Sequence, residues 1–141
     1  MRLPRGVALA AVALASSCTF GGSSQPELGP AGGPVTIGVS AEPAPGATVV
    51  LDLSADAAAV GSACVTVDRW ESGEWRNAWW WERPSREPQP IARGENVTCP
   101  AVGVPLPTTM TIELPIDLEV GTWRVAYAAG DDLGAYVFEV R

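Results

Sequence analysis

The sequence predicts an all-β fold, a β-sandwich of about seven strands, and three observations carry that prediction. Apolar and polar residues alternate with a period of two in at least five separate segments after residue 34, the spacing that turns one side of a strand to a core. No segment in that region sustains a helical period, and Ala55 to Val60, which comes nearest, spans barely two turns. Thirteen prolines, many after residue 80, lack the amide hydrogen that a helix interior needs.

The strands follow in order. Val35-Thr36-Ile37-Gly38-Val39 alternates, and Thr48 to Leu53 (TVVLDL) is the second candidate. Val65 and Val67 point one way, Thr66 and Asp68 the other. Trp70-Glu71-Ser72-Gly73-Glu74-Trp75 reads as a tight hairpin, because Ser-Gly lies between two extended aromatic runs and Gly73 can take a positive φ. With a two-residue loop, Trp70 and Trp75 face each other across the ladder. Trp70, Trp75 and Trp123 are expected in the core. From Glu82 to Pro107 the chain is Pro-rich, polar and irregular. Met110, Ile112, Leu114 and Ile116 then alternate with polar residues and Pro115. Trp123, Val125 and Tyr127 share a face, and so do Tyr136, Phe138 and Val140.

With 141 residues there is room for one domain and a leader. Arg2 and Arg5 form a basic start, and Gly6 to Ala15 (GVALAAVALA) is a compact apolar run, too short to span a bilayer and of signal-peptide size. Ala15-Ser16-Ser17-Cys18 resembles a bacterial lipobox, with Ala15 where leucine is commonest. That resemblance implies cleavage before Cys18 and diacylglycerol on its thiol. The mature chain would then be anchored at the extracytoplasmic face of the cell membrane. Cleavage after Ala13-Leu14-Ala15, giving a secreted soluble protein, is the other reading. Thr19 to Gly33 is rich in Gly, Ser and Pro, which suits a tether. The expected division is a signal peptide at 1–17, a tether at 18–34 and one domain at 35–141. Acylation of Cys18 leaves Cys64 and Cys99 as a pair in an oxidising compartment, where closing the loop contributes about 3–4 kcal/mol. Two free buried thiols are the alternative.

Charge and composition exclude several functions. The formal net charge is -7, and removal of Arg2 and Arg5 leaves seven arginines against sixteen carboxylates. Such a surface repels phosphate backbones, so nucleic acid is not an expected partner. The chain has no lysine and no histidine. Ser-His-Asp and Cys-His chemistry therefore lack their base, and metal sites lack their commonest ligand. No cofactor is expected.

Cys64 to Ala78 (CVTVDRWESGEWRNA), Leu118 to Val125 (LEVGTWRV) and Tyr136 to Val140 (YVFEV) together resemble the bacterial immunoglobulin-like domains of secreted and lipid-anchored proteins. Gly73 and Trp75 match that pattern's turn. Gly121, Trp123 and Arg124 match its Pro-Gly-x-Tyr-Arg strand start, with Val120 in place of Pro and Trp123 in place of Tyr. The resemblance covers roughly residues 35 to 141 and implies an immunoglobulin-like sandwich without an enzymatic site.

Trp79, Trp80 and Trp81 are the candidate partner-binding residues. On a strand Trp79 and Trp81 share a side and Trp80 faces the other, so at least one indole should lie near solvent; the competing reading packs all three at the core edge. Asp131-Asp132 with Gly134 lacks the spaced ligands of a calcium loop and reads as an acidic hairpin tip. Glu71/Glu74 and Glu82/Glu87 read as solvated edge charges. Asn96-Val97-Thr98 is a formal glycosylation sequon, rarely read in bacteria. The Cys99–Pro107 loop, starting Cys99-Pro100-Ala101-Val102, resembles the reactive-site loops of secreted subtilisin inhibitors, although those carry two disulfides. The preferred expectation is a lipid-anchored, non-catalytic binding module for an envelope protein or glycan. A protease inhibitor and a small histidine-independent hydrolase are the alternatives. Intact mass of the membrane-extracted protein should equal residues 18–141 plus acyl groups and rise by two hydrogens on reduction; an unmodified amino terminus would contradict the anchor.

Overall fold

The computed structural model describes residues 24–55, 63–81, 87–93, 95, 97, 109–129 and 132–141. As the alternation predicts, it is all-β: two antiparallel sheets face each other without closing into a barrel. The strands are β1 (Gly29–Ala31), β2 (Val35–Val39), β3 (Thr48–Ala55), β4 (Ala63–Glu71), β5 (Glu74–Trp81), β6 (Gln89–Pro90), β7 (Thr109–Glu113), β8 (Gly121–Ala129) and β9 (Asp132–Val140). Seven have five residues or more, and β1 and β6 are short additions. One sheet has the order β1-β9-β8-β4-β5-β6, the other β2-β3-β7.

The core lies between the sheets. Val35 and Ile37, Val49 and Leu51, and Ile112 project from the small sheet toward Val67, Trp123, Val125, Tyr127 and Phe138 of the large one. Removing these side chains from water is the main favourable term, at roughly 1.5–3 kcal/mol for each large one. Met110, Ile112 and Leu114 are buried as the alternation requires, but the strand stops at Glu113. Pro115 cannot donate to a ladder. Its carbonyl instead accepts from Gly46 N–H (3.1 Å), and Ile116 is left 84% exposed.

The span expected as a tether, 18–34, is in part a strand. Gly29–Ala31 pairs with Val137–Ala135 at the edge of the large sheet, a position that tolerates Pro30. Thr122 Oγ1 donates to Gln25 Oε1 at 3.2 Å. The chain then switches sheets within Gly32–Pro34 to begin β2. The switch is possible because backbones approach closely there: a Cβ on Gly134 would lie 2.6 Å from the Val35 carbonyl oxygen and 2.9 Å from Thr36 Cα.

The centre of the large sheet is buried on both faces. Cys64, Ala126, Ala135 and Val137 lie on the side away from the core, yet each is at most 6% exposed. This explains why β8 and β9 carry near-continuous apolar runs, since a strand covered on both sides loses its alternation. Tyr136 points inward and donates through Oη to Glu42 Oε2 at 2.7 Å. That hydrogen bond, with burial and the negative charge of Glu42 adding to it, raises the phenol above its ordinary value. Gly134→Ala should destabilise by about 1–3 kcal/mol in urea unfolding. Gly33→Ala, whose added Cβ would meet nothing within 4 Å, should be close to neutral.

Candidate functional site

Two side-chain clusters lie on opposite faces of the β4–β5 hairpin, beside a tight turn and a single irregularity. Ser72 (φ 50) and Gly73 (φ 82) both take positive φ, the requirement of a type I′ turn, and Trp70 pairs with Trp75 as the two-residue loop predicts. Toward the strand's far end the register shifts: Val67 pairs with Trp79 but Asp68 pairs with Asn77, so Ala78 is an extra residue on β5. A bulge of this kind re-aims side chains. Beyond it Trp79 and Trp81 share the core face; before it Asn77 and Trp75 face outward and Arg76 and Glu74 face inward.

On the outer face the bulge brings Asn77 to a buried carboxylate. Asp68, with a side chain 1% exposed, accepts from Arg124 Nε at 2.7 Å and from Asn77 Nδ2 at 2.6 Å. The Arg124 guanidinium lies 4.6 Å from the centroid of Trp75, whose ring meets Trp70 edge-on at 5.1 Å. Trp70 and Trp75 are half-buried here and are not core residues, a correction to the sequence expectation; only Trp123 of the three is in the core. The reason is geometric. Cross-strand partners share a side, and Trp70 follows Asp68 on the face turned away from the small sheet.

On the inner face, where the three-stranded sheet no longer covers the six-stranded one, there is an open groove of about 570 Å³. Trp79, Trp123, Pro90 and Ile91 supply its apolar surface. An ion-pair ladder runs along it: Arg69 meets Glu119 and Glu71 (3.4 Å), Arg76 meets Glu71 (3.5 Å) and Glu74 (2.9 Å), and Arg93 reaches Glu71 at 3.7 Å. Glu71 and Glu74 are therefore members of a network and not idle edge charges. Arg69 is held further by the Val120 carbonyl at 3.2 Å and lies 5.5 Å from the Trp123 centroid. Gly121 begins β8 with φ +147 beside this guanidinium, and Trp123 Nε1 donates to the Glu119 carbonyl at 2.8 Å. The Gly121-Thr122-Trp123-Arg124 stretch thus serves both faces, Trp123 inward and Arg124 outward.

The sequence candidates divide accordingly. Trp81 is 3% exposed and belongs to the core, Trp79 packs partly against it at the groove wall, and Trp80 is half-buried opposite Thr66. Cys64 is buried and disulfide-bonded, and its partner lies outside the described residues. Cys18, Cys99, the Cys99–Pro107 loop, Asp131, Glu82 and the possible helical turn after Ala55 also fall outside them. Among the described residues, no group of three His, Cys, Asp or Glu is placed to hold a metal ion. No protein-family model, curated protein or solved structure matches the chain.

Asp68, Asn77 and Arg69 were not singled out from the sequence, and Arg124 stood out only as part of a strand-start motif. Asp68 alternates with Val65 and Val67 and reads as a solvent-facing residue. The available signal was the apolar run on β8 and β9, which implies a covered outer face. Arg124→Met leaves Asp68 buried without its cation and should destabilise by about 3–5 kcal/mol. Combining it with Asp68→Leu should restore part of that loss in a double-mutant cycle; additive losses would show that the two side chains do not interact.

Proposed function

We propose that this chain is a non-catalytic binding module, carried outside the cell membrane by lipid on Cys18 and built on an immunoglobulin-like sandwich. The observation that carries the binding reading is the inner groove. It combines half-buried Trp79 with arginines and carboxylates held in place before any partner arrives, so little side-chain entropy is lost on docking. Ion pairs as exposed as these add little stability, about 0–1 kcal/mol each, so their concentration at one groove favours a role in recognition. Glu71, Glu74 and Glu119 each have oxygens engaged by an arginine, an arrangement suited to orienting a partner more than to moving a proton. The leader, the lipobox and the Cys64–Cys99 pairing expected from the sequence support an extracytoplasmic address. The preferred ligand is an exposed protein segment or glycan of the envelope.

Titration of the full chain with envelope protein and glycan fractions, followed by tryptophan fluorescence, tests this. At least one fraction should bind, and Trp79→Ala or Arg69→Ala should weaken it about tenfold or more while unfolding stays cooperative. Absence of any response, or equal binding by both variants, would sink the groove as the site.

A further inference from the structure

We propose that one end of the sandwich rests on the lipid bilayer, with Ile116 and Val120 as the side chains that meet the headgroup zone. The proposal rests on the anchor at Cys18. The end in question is formed by the 114–120 link, the Ser72–Gly73 turn and the point where the N-terminal segment leaves the sheet.

Register places these features together. Gly121 pairs with Val140, and Arg69 pairs with Trp123, so the hairpin tip lies at the level where β8 begins and β9 ends. β1 runs antiparallel to β9, with Gly29 opposite Val137. Followed backward from Gly29, the chain therefore heads toward Val140, and Gln25 is fixed there by the side chain of Thr122.

Length then sets the orientation. Six residues lie between Cys18 and Gln25, so the two are at most about 25 Å apart. Gln25 is tied to Thr122, and the far end of β8 at Ala129 lies about 23 Å away, so only a fully extended segment laid back along the sheet would approach the β8–β9 turn, with no length left to pass beyond it. A lipid on Cys18 holds the Gln25 end toward the membrane.

That end also carries the most exposed large apolar side chains among the described residues. Ile116 is 84% exposed, Val120 70% and Leu28 58%, whereas Leu133 at the far end is 39% exposed. Ile116 and Val120 lie in the same short link at this end, so both can enter one contact, whereas Leu28 lies toward the outer face beside Trp75 and Val137. Several charges around them are already compensated: Glu119 holds Arg69, Glu74 holds Arg76 and Glu139 holds Arg141. Glu27 and Asp117 have no such cation among the described residues, so the remaining charge is negative. The surface accordingly fits zwitterionic headgroups and is weakened by anionic ones.

The test uses full-length protein in phosphatidylcholine vesicles, carrying an environment-sensitive fluorophore on Ile116→Cys or, as a control, on Leu133→Cys. The unsubstituted chain reports any labelling of native thiols. Both substituted positions are exposed, so the fold should be undisturbed. Label at 116 should shift to the blue and be quenched at least about twofold by brominated lipid, as expected for residues entering the headgroup boundary, with no change at 133. Phosphatidylglycerol added to the same vesicles should reduce the shift, and salt should restore it. Equal responses at 116 and 133, on protein whose intact mass includes the acyl chains, would overturn the orientation and leave the anchor standing. A mass without acyl chains would remove the anchor and this proposal together.

Discussion

Much of the large sheet is organised around a single buried carboxylate. Asp68 is nearly inaccessible to water and must be matched by donors from neighbouring strands. Arg124 comes from β8 and Asn77 from β5, so β4 is tied to both of its partners by side chains as well as by backbone bonds. The tight turn sets Asn77 opposite Asp68, and the extra Ala78 shifts the alternation of β5 beyond it, so that Trp79 and Trp81 still face the core. In an unbulged β5 of the same sequence Asn77 and Trp79, two positions apart, would share a side; the bulge lets them face opposite ways. The same turn places Arg76 and Glu74 beside Arg69 and Glu71. One buried charge, one tight turn and one inserted residue together determine what each face of the hairpin presents.

The legible part of the fold was the part governed by a period of two. Strands β2, β3 and β7 are visible in their alternating apolar residues, and Ser72-Gly73 fixed the register of Trp70 against Trp75. What escaped notice follows equally physical lines. A bulge has no reliable composition, and Ala78 is unremarkable on its own. Gly29-Pro30-Ala31 has almost no side chain to bury, so its strand exists through ladder bonds alone and resembles linker. Trp70 and Trp75 looked like core because they are large and apolar; their strand position, two and seven residues beyond Asp68, decides otherwise. The groove was half visible, since Trp79 stood out, while Arg69, Glu71 and Glu119 meet only through pairings between distant strands.

The two faces of the β4–β5 hairpin divide labour. Outside, a guanidinium is clamped between a carboxylate and an indole, an arrangement with strict geometry in which loss of any member leaves another unsatisfied. Inside, the charges are partly exposed and share partners along a ladder, so each single contact is weak while Arg69 and Glu71 are each held by more than one. The clamped outer cluster thus fixes the strands on which the inner ladder is carried.

The short strand at the sheet edge also sets how the molecule responds to force. Tension on the chain ahead of Gln25 meets one side-chain hydrogen bond and then three rungs between β1 and β9 before it reaches the core. Release of those rungs would lengthen the connection by about ten residues, up to roughly 35 Å, with β2 still held in the other sheet. Gly32–Pro34 is thus where a mechanical load would stop, leaving a yielding segment on one side and an intact sandwich on the other.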